Sequence, residues 1–164
     1  MTNQKVVVIC KIDDISKLYY RTRTSSEDIA GKNIMIFNNS QARFLSKKTK
    51  FMNGKIHLEG SRKFCKKNIS LSTCTYRDMM KYANNYMIKN KNKFYVGPAY
   101  TYGKKITDFQ TVVTGTIEND EIDNPIDCAI RELKEEIEID VNKIDLLDTS
   151  QFGDLKVFTL IANL

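Results

Sequence analysis

The stretch that most constrains this chain is Pro125–Glu138, PIDCAIRELKEEIE, whose pattern is that of a helix. Asn124 takes the N-cap position. Pro125 follows at the first helical position, where a missing N–H costs nothing, and Asp127 stands third, near the positive end of the helix dipole. At 100° per residue, Ile126, Ile130, Leu133 and Ile137 fall within about 60° of one another and predict the buried stripe. Glu132, Glu135 and Glu136, spaced i, i+3, i+4, gather on a different face. Carboxylates this close repel one another unless a positive group sits among them. A lysine would serve, and a hard divalent cation, which favours oxygen ligands, would serve better. Taken alone, the same residues also suit a solvated acidic face partly balanced by Arg131 and Lys134.

The rest of the chain reads as strands with a few helices. Lys5–Ile12 (KVVVICKI) is a β-branched run and reads as a buried strand. Leu18–Arg23 (LYYRTR) reads as its returning partner after a turn at Asp13-Asp14, and Asn33–Phe37 and Gly54–Glu59 read as short strands. Helices are expected from Gln41 to about Asn53 and over Ser72–Lys89, the second with Met79, Tyr82, Tyr86 and Ile88 as its apolar stripe. Asn90–Lys105, with Pro98 and two glycines, predicts a loop. Strands are expected again at Phe109–Thr116, more weakly at Leu146–Asp154 with a turn, and at Lys156–Leu164.

Charge divides the chain more sharply than its net +6 suggests. Residues 1–40 carry +2, residues 41–105 carry +14 and residues 106–164 carry −10. A basic middle suits polyanions, and an acidic end gathers carboxylates. The abundance of lysine, asparagine and isoleucine fits an AT-rich genome, but such a bias does not explain why acidic residues nearly vanish between 41 and 105.

The segment Gly115–Ile139 resembles a Nudix box. That signature has a glycine, five residues, a glutamate, seven residues, and then Arg-Glu-aliphatic-x-Glu-Glu-x-Gly-aliphatic. Here Gly115 is followed by five residues and Glu121, and later come Arg131-Glu132-Leu133-Lys134-Glu135-Glu136, Ile137, Glu138 and Ile139. The preceding Cys128-Ala129-Ile130 is also typical, and KVVVICKI with LYYRTR looks like the first hairpin of the fold. There are three departures. Nine residues separate Glu121 from Arg131, so either the loop is longer or Asp123 takes the glutamate's place. Glu138 stands where a glycine is usual, so a left-handed helix cap is expected to give way to another termination. The sequence also ends soon after KVFTLIANL, where many relatives continue into a further strand and a helix that often adds a carboxylate.

The resemblance implies a Nudix-like α/β/α sandwich with a mixed sheet, as a single domain over 1–164 with residues ~24–105 inserted between the first hairpin and the box. It implies a hydrolase that cleaves a pyrophosphate bond in a nucleoside-diphosphate-linked substrate with magnesium, or manganese in its place. Cations would neutralise the diphosphate oxygens and activate water. The implied catalytic residues are Glu132, Glu135, Glu136, Arg131 and Glu121. The implied metal ligands are Glu132, Glu135 and Glu136 with the Gly115 carbonyl. Arg131 would orient a glutamate such as Glu121, and Glu118 and Asp120 would stand in for a missing ligand. Lysines interleaved with Phe44, Phe51, Phe64, Tyr76, Tyr82, Tyr86, Phe94, Tyr95, Tyr100 and Tyr102 suit a phosphate backbone and stacked bases, or form the insertion's own core beneath a solvated surface. A Nudix core with a basic insertion is similar in architecture to the viral mRNA-decapping enzymes of large DNA viruses. Capped RNA is therefore the first substrate expected, through the basic 41–105 region.

Three alternatives remain. The first is a small-nucleotide pyrophosphohydrolase acting on a nucleoside triphosphate, ADP-ribose or a dinucleotide. The second is a catalytically inactive Nudix-fold module that binds RNA or a nucleotide, and the third a protein-interaction module. No segment has the roughly 18 uninterrupted apolar residues of a membrane span, so no membrane partner is expected. Cys10, Cys65, Cys74 and Cys128 lack the paired spacing of a zinc site and are expected as free thiols. With no secretory signal in MTNQKVVVIC, a cytoplasmic protein is expected, in the host cytoplasm if viral. His57, the one histidine, is expected to be structural, because Nudix sites use carboxylates.

Overall fold

The computed structural model describes residues 3–14, 34–38, 51–52, 55–57, 71–90, 94–102, 105–141 and 143–164. Its centre is β1 (Asn3–Ile12). This strand runs parallel to β9 (Leu155–Asn163) and antiparallel to β7 (Val113–Thr116) and to the start of β5 (Phe94–Tyr102). β8 (Ile144–Phe152) pairs with β9 through the two-residue turn Gly153–Asp154, where Gly153 supplies a φ of 59°. β2 (Ile34–Asn38) pairs with β5, and β6 (Lys105–Gln110) joins β5 to the short strands β4 (Lys55–His57) and β3 (Phe51–Met52). The sheet is therefore mixed.

β1 carries an unbroken apolar run from Val6 to Cys10 because both of its faces are covered. Val6, Val8, Cys10 and Ile12 join Phe158, Leu160 and Ala162 of β9 beneath helix α2 (Pro125–Ile137). Val7 and Ile9, with Val157 and Ile161, meet Met80, Ala83 and Met87 of helix α1 (Leu71–Lys89) on the other face. The two helices thus sandwich the sheet, which is the α/β/α arrangement of a Nudix-like fold. Tyr95, fully buried on the α1 side, stacks on Phe37 at 5.8 Å between ring centroids, so it is core.

Several local expectations are corrected. Asn90–Lys105 is not a loop, for it contains β5. Gly97 is tolerated there because a Cβ would collide with the backbone carbonyl of Gln110, and Pro98 lies where β5 passes from β1 and β2 to β6. Phe51–Met52, at the end of an expected helix, is strand; residues 41–50 lie outside the described set, as does Leu18–Arg23. Phe109–Thr116 is split between β6 and β7 by a bend at Thr111–Val112. On α1 Met80, Ala83 and Met87 are fully buried and the expected Tyr86 and Ile88 pack partly buried against them, while Tyr82 is exposed and nothing is described of the Met79 side chain. On α2 Ile126 is exposed, because the first turn rises from the solvated loop 118–124 and the buried face begins only at Cys128. Asn124 holds the N-cap position, but its side chain donates to the Ile122 carbonyl instead of capping the helix.

Helix α2 also ends differently from expectation. Glu138 itself adopts the left-handed conformation, φ 56° and ψ 35°, and its N–H bonds to the Lys134 carbonyl at 3.1 Å. The left-handed termination is therefore kept with a glutamate in the glycine's place, at a cost of about 1 kcal/mol. Ile139 beyond it is buried, and that burial fixes the direction in which the chain must leave the helix.

Candidate active site

The box residues lie on three consecutive pieces of chain held by β1. β7 pairs with β1 so that Gly115 faces Val6, and the ladder continues where the Ile117 N–H donates to the Gln4 carbonyl. A single 3-10 turn follows at Asn119–Glu121, and then α2 packs back onto β1 and β7. Gln4, largely buried, clasps the loop from below. Its Oε1 accepts from the Asp123 N–H at 3.1 Å and its Nε2 donates to Asp123 Oδ1 at 3.0 Å. Asp123 sits at φ 60°, a conformation that needs such a hold in a non-glycine residue. Nothing near Gln4 in sequence announces this role, since its partner is 119 residues away.

Arg131 is the hub of the site. Its Nε and Nη2 donate to the two oxygens of Glu121 at 2.9 and 2.8 Å, a bidentate fork. Nη2 also reaches the Thr116 carbonyl at 3.2 Å. Nη1 donates to Glu132 Oε1 at 2.9 Å and to Glu135 Oε2 at 3.3 Å, and lies 3.7 Å from Glu118 Oε1. Glu121, not Asp123, is thus the partner of the box arginine. Its Oε1 also accepts from the Glu118 N–H at 3.1 Å, which closes the longer loop into a tight turn.

Glu132 and Glu121 are both buried, yet their environments push them in opposite directions. The Arg131 fork holds Glu121 below the usual carboxylate value against the effect of burial. Burial dominates at Glu132 and raises it, with Arg131 opposing and Glu135 and Glu136 adding to the rise. Arg131 is driven further toward the charged form, chiefly by its bonds to Glu121. Beside it, burial pushes the Cys128 thiol up to about 12, so it stays protonated and donates to the Thr116 carbonyl. Cys10 is likewise buried and free; Cys65 lies outside the described residues and nothing is described of the Cys74 side chain.

Gly115 has a steric role. A Cβ there would overlap the Cγ, Cδ and Oε1 atoms of Glu132, so only glycine lets that carboxylate lie flat against β7. Glu135 and Glu136 remain exposed on the outer side of the helix. Among the described residues, the three carboxylates whose oxygens come within 4.8 Å of one another are those of Glu118, Asp120 and Glu121, where loop and helix meet. Glu132 and Glu135 are instead drawn together through Arg131. The donors available to a cation are all hard oxygens on a rigid helix and its preceding turn, and Gly115 leaves room for one of them. These carboxylates suit a hard divalent cation, while the buried Cys128 thiol beside Arg131 stays protonated against the Thr116 carbonyl.

A family model described as NUDIX domain matches residues 89–160, while no curated protein and no solved structure matches the chain. The matched segment begins at the end of α1 and takes in β5 through most of β9, including the glycine, glutamate and arginine just described. Residues 89–160, somewhat under half of the chain, are therefore similar to a Nudix domain.

Proposed function

We propose that this protein is a magnesium-dependent Nudix pyrophosphohydrolase, with capped RNA ahead of small nucleotides as its substrate and the cytoplasm as its place of action. The observation that carries the reading is the Arg131 hub, which fixes Glu121 and Glu132 in register while leaving Glu135 and Glu136 open to solvent. Glu132, Glu135 and Glu136 would hold the cation, with Glu118 and Asp120 near enough in sequence and space to Glu121 to assist. When bound, the cation supplies charge neutralisation on the diphosphate and makes water a better nucleophile. The protein's own residues do the rest. Gly115 gives Glu132 its seat, Arg131 keeps it from turning away before the cation binds, and Glu121 keeps Arg131 oriented. The acidic C-terminal region, at −10, would by itself repel a polyphosphate, so binding there demands compensation. The +14 between residues 41 and 105 supports an RNA backbone as the attached group. Residues 41–50 and 58–70 of that region lie outside the described set.

A second reading, a non-catalytic module that binds RNA or a nucleotide, has one observation in its favour. Arg131 already supplies a positive charge to Glu132 and Glu135. One experiment separates the two. Cap-labelled RNA and a panel of nucleoside diphosphate derivatives are incubated with the protein, with and without magnesium, beside Glu135→Gln/Glu136→Gln. Product that requires both the metal and the glutamates supports hydrolysis. No turnover on any substrate, with salt-sensitive RNA binding intact, would sink the enzyme reading.

A further inference from the structure

The five N–H groups of Arg131 are divided between two unlike environments. Nε and Nη2 face Glu121, whose side chain is 9% exposed, with bonds of 2.9 and 2.8 Å, and the Thr116 carbonyl takes another N–H. Nη1 faces outward. Its two hydrogens are shared among Glu132 at 2.9 Å, Glu135 at 3.3 Å and Glu118 at 3.7 Å, and the last two side chains are 59% and 62% exposed. The inner grip is short, forked and buried. The outer one is oversubscribed, and wet except at Glu132, whose side chain is 11% exposed.

We infer that Arg131 is a positioning residue with two separable grips. Nε and Nη2 stay on Glu121, while Nη1 holds Glu132 and Glu135 as a stand-in cation and releases them when those glutamates take a divalent ion. This rests on the metal reading proposed above. One guanidinium set among four carboxylates leaves negative charge in excess, so a second cation is attracted to the cluster. Arg131 and that cation cannot share the same oxygens without mutual repulsion, so one side of the guanidinium must give way. The fate of the released carboxylate decides which. Releasing Glu121 would strand a buried carboxylate with nothing in the place of Arg131, whereas buried Glu132 and exposed Glu135 pass to the incoming ion and leave Nη1 beside Glu118 and water. The stand-in role also explains how Glu132 stays fixed against Gly115 before any ion arrives.

The test uses the whole wild-type chain and magnesium alone, followed by NMR. The Arg131 guanidinium signals are assigned through bonds, and the side-chain carboxyl carbons of Glu132, Glu135 and Glu136 report ion binding independently. The expected result is saturable carboxyl shifts, with the Nη1 protons exchanging with water about tenfold faster while the Nε proton keeps its protection. Carboxyl shifts with Nη1 still protected would overturn the inference and leave the metal site standing. Nε and Nη1 loosening together would overturn the separation of the two grips. Absence of any carboxyl shift would remove the metal reading and this inference with it.

Discussion

Replacing Glu121 with glutamine tests how much of the site rests on one buried carboxylate. The substitution keeps the shape but removes the charge from two bonds of 2.8 and 2.9 Å to Arg131 and weakens a third from the Glu118 N–H. Each charge-assisted bond is worth about 1.5–3 kcal/mol, and stranding one member of a buried pair costs about 3–5 kcal/mol. Glutamine retains one acceptor oxygen, and Arg131 retains Glu132 and Glu135, so Glu121→Gln is expected to cost about 2–3 kcal/mol. That corresponds to a fall in Tm of about 5–10 °C for a domain of this size. The effect must also depend on pH. Glu121 is held below the usual value in the folded state, so its contribution is complete above the unfolded value of about 4.5 and is lost as pH falls through the folded one. Urea unfolding of wild type and variant at pH 7 and at several points below pH 4 measures both quantities. Glu118→Gln is the control, expected to change stability by less than about 0.5 kcal/mol because its side chain is 62% exposed and 3.7 Å from Arg131. A loss below about 1 kcal/mol at pH 7, or a gap that does not narrow in acid, would refute the reasoning.

Glu132→Gln should behave in the opposite way. Burial raises Glu132, so the folded protein is favoured below about pH 4.5 and that advantage is lost as pH rises through the folded value; at pH 7 the neutral variant should lie within about 1 kcal/mol of wild type or above it, by urea unfolding, while magnesium affinity by calorimetry falls. Gly115→Ala must push Glu132 off β7 and is expected to cost about 1–3 kcal/mol, read in the same unfolding assay, together with weaker magnesium binding. Glu138→Gly removes the left-handed strain at the end of α2, which outweighs glycine's extra freedom in the unfolded chain, and should raise stability by up to about 1 kcal/mol, visible as a higher Tm in calorimetry.

The sequence by itself determined those features whose cause is local. The proline start of α2, the strand character of KVVVICKI and KVFTLIANL, and the order glycine, glutamate, Arg-Glu, Glu-Glu are written in neighbouring residues, and the structure has the helix and both strands there. What only the tertiary structure decided depends on residues far apart. Ile126 has the spacing of a core residue, but the buried face of α2 begins only at Cys128. Pro98 and Gly97 signal a loop locally, yet pairing with β2 places them in a strand, where Gln110 approaches Gly97 too closely for a side chain. Glu138 takes a glycine's conformation because buried Ile139 pulls the chain inward. The box itself shows the same division. The Gly115–Ile139 spacing supplied the list of carboxylates. Only the fold, by bringing Gln4 under Asp123 and Glu121 against Arg131, decided which of them are buried and paired and which face solvent.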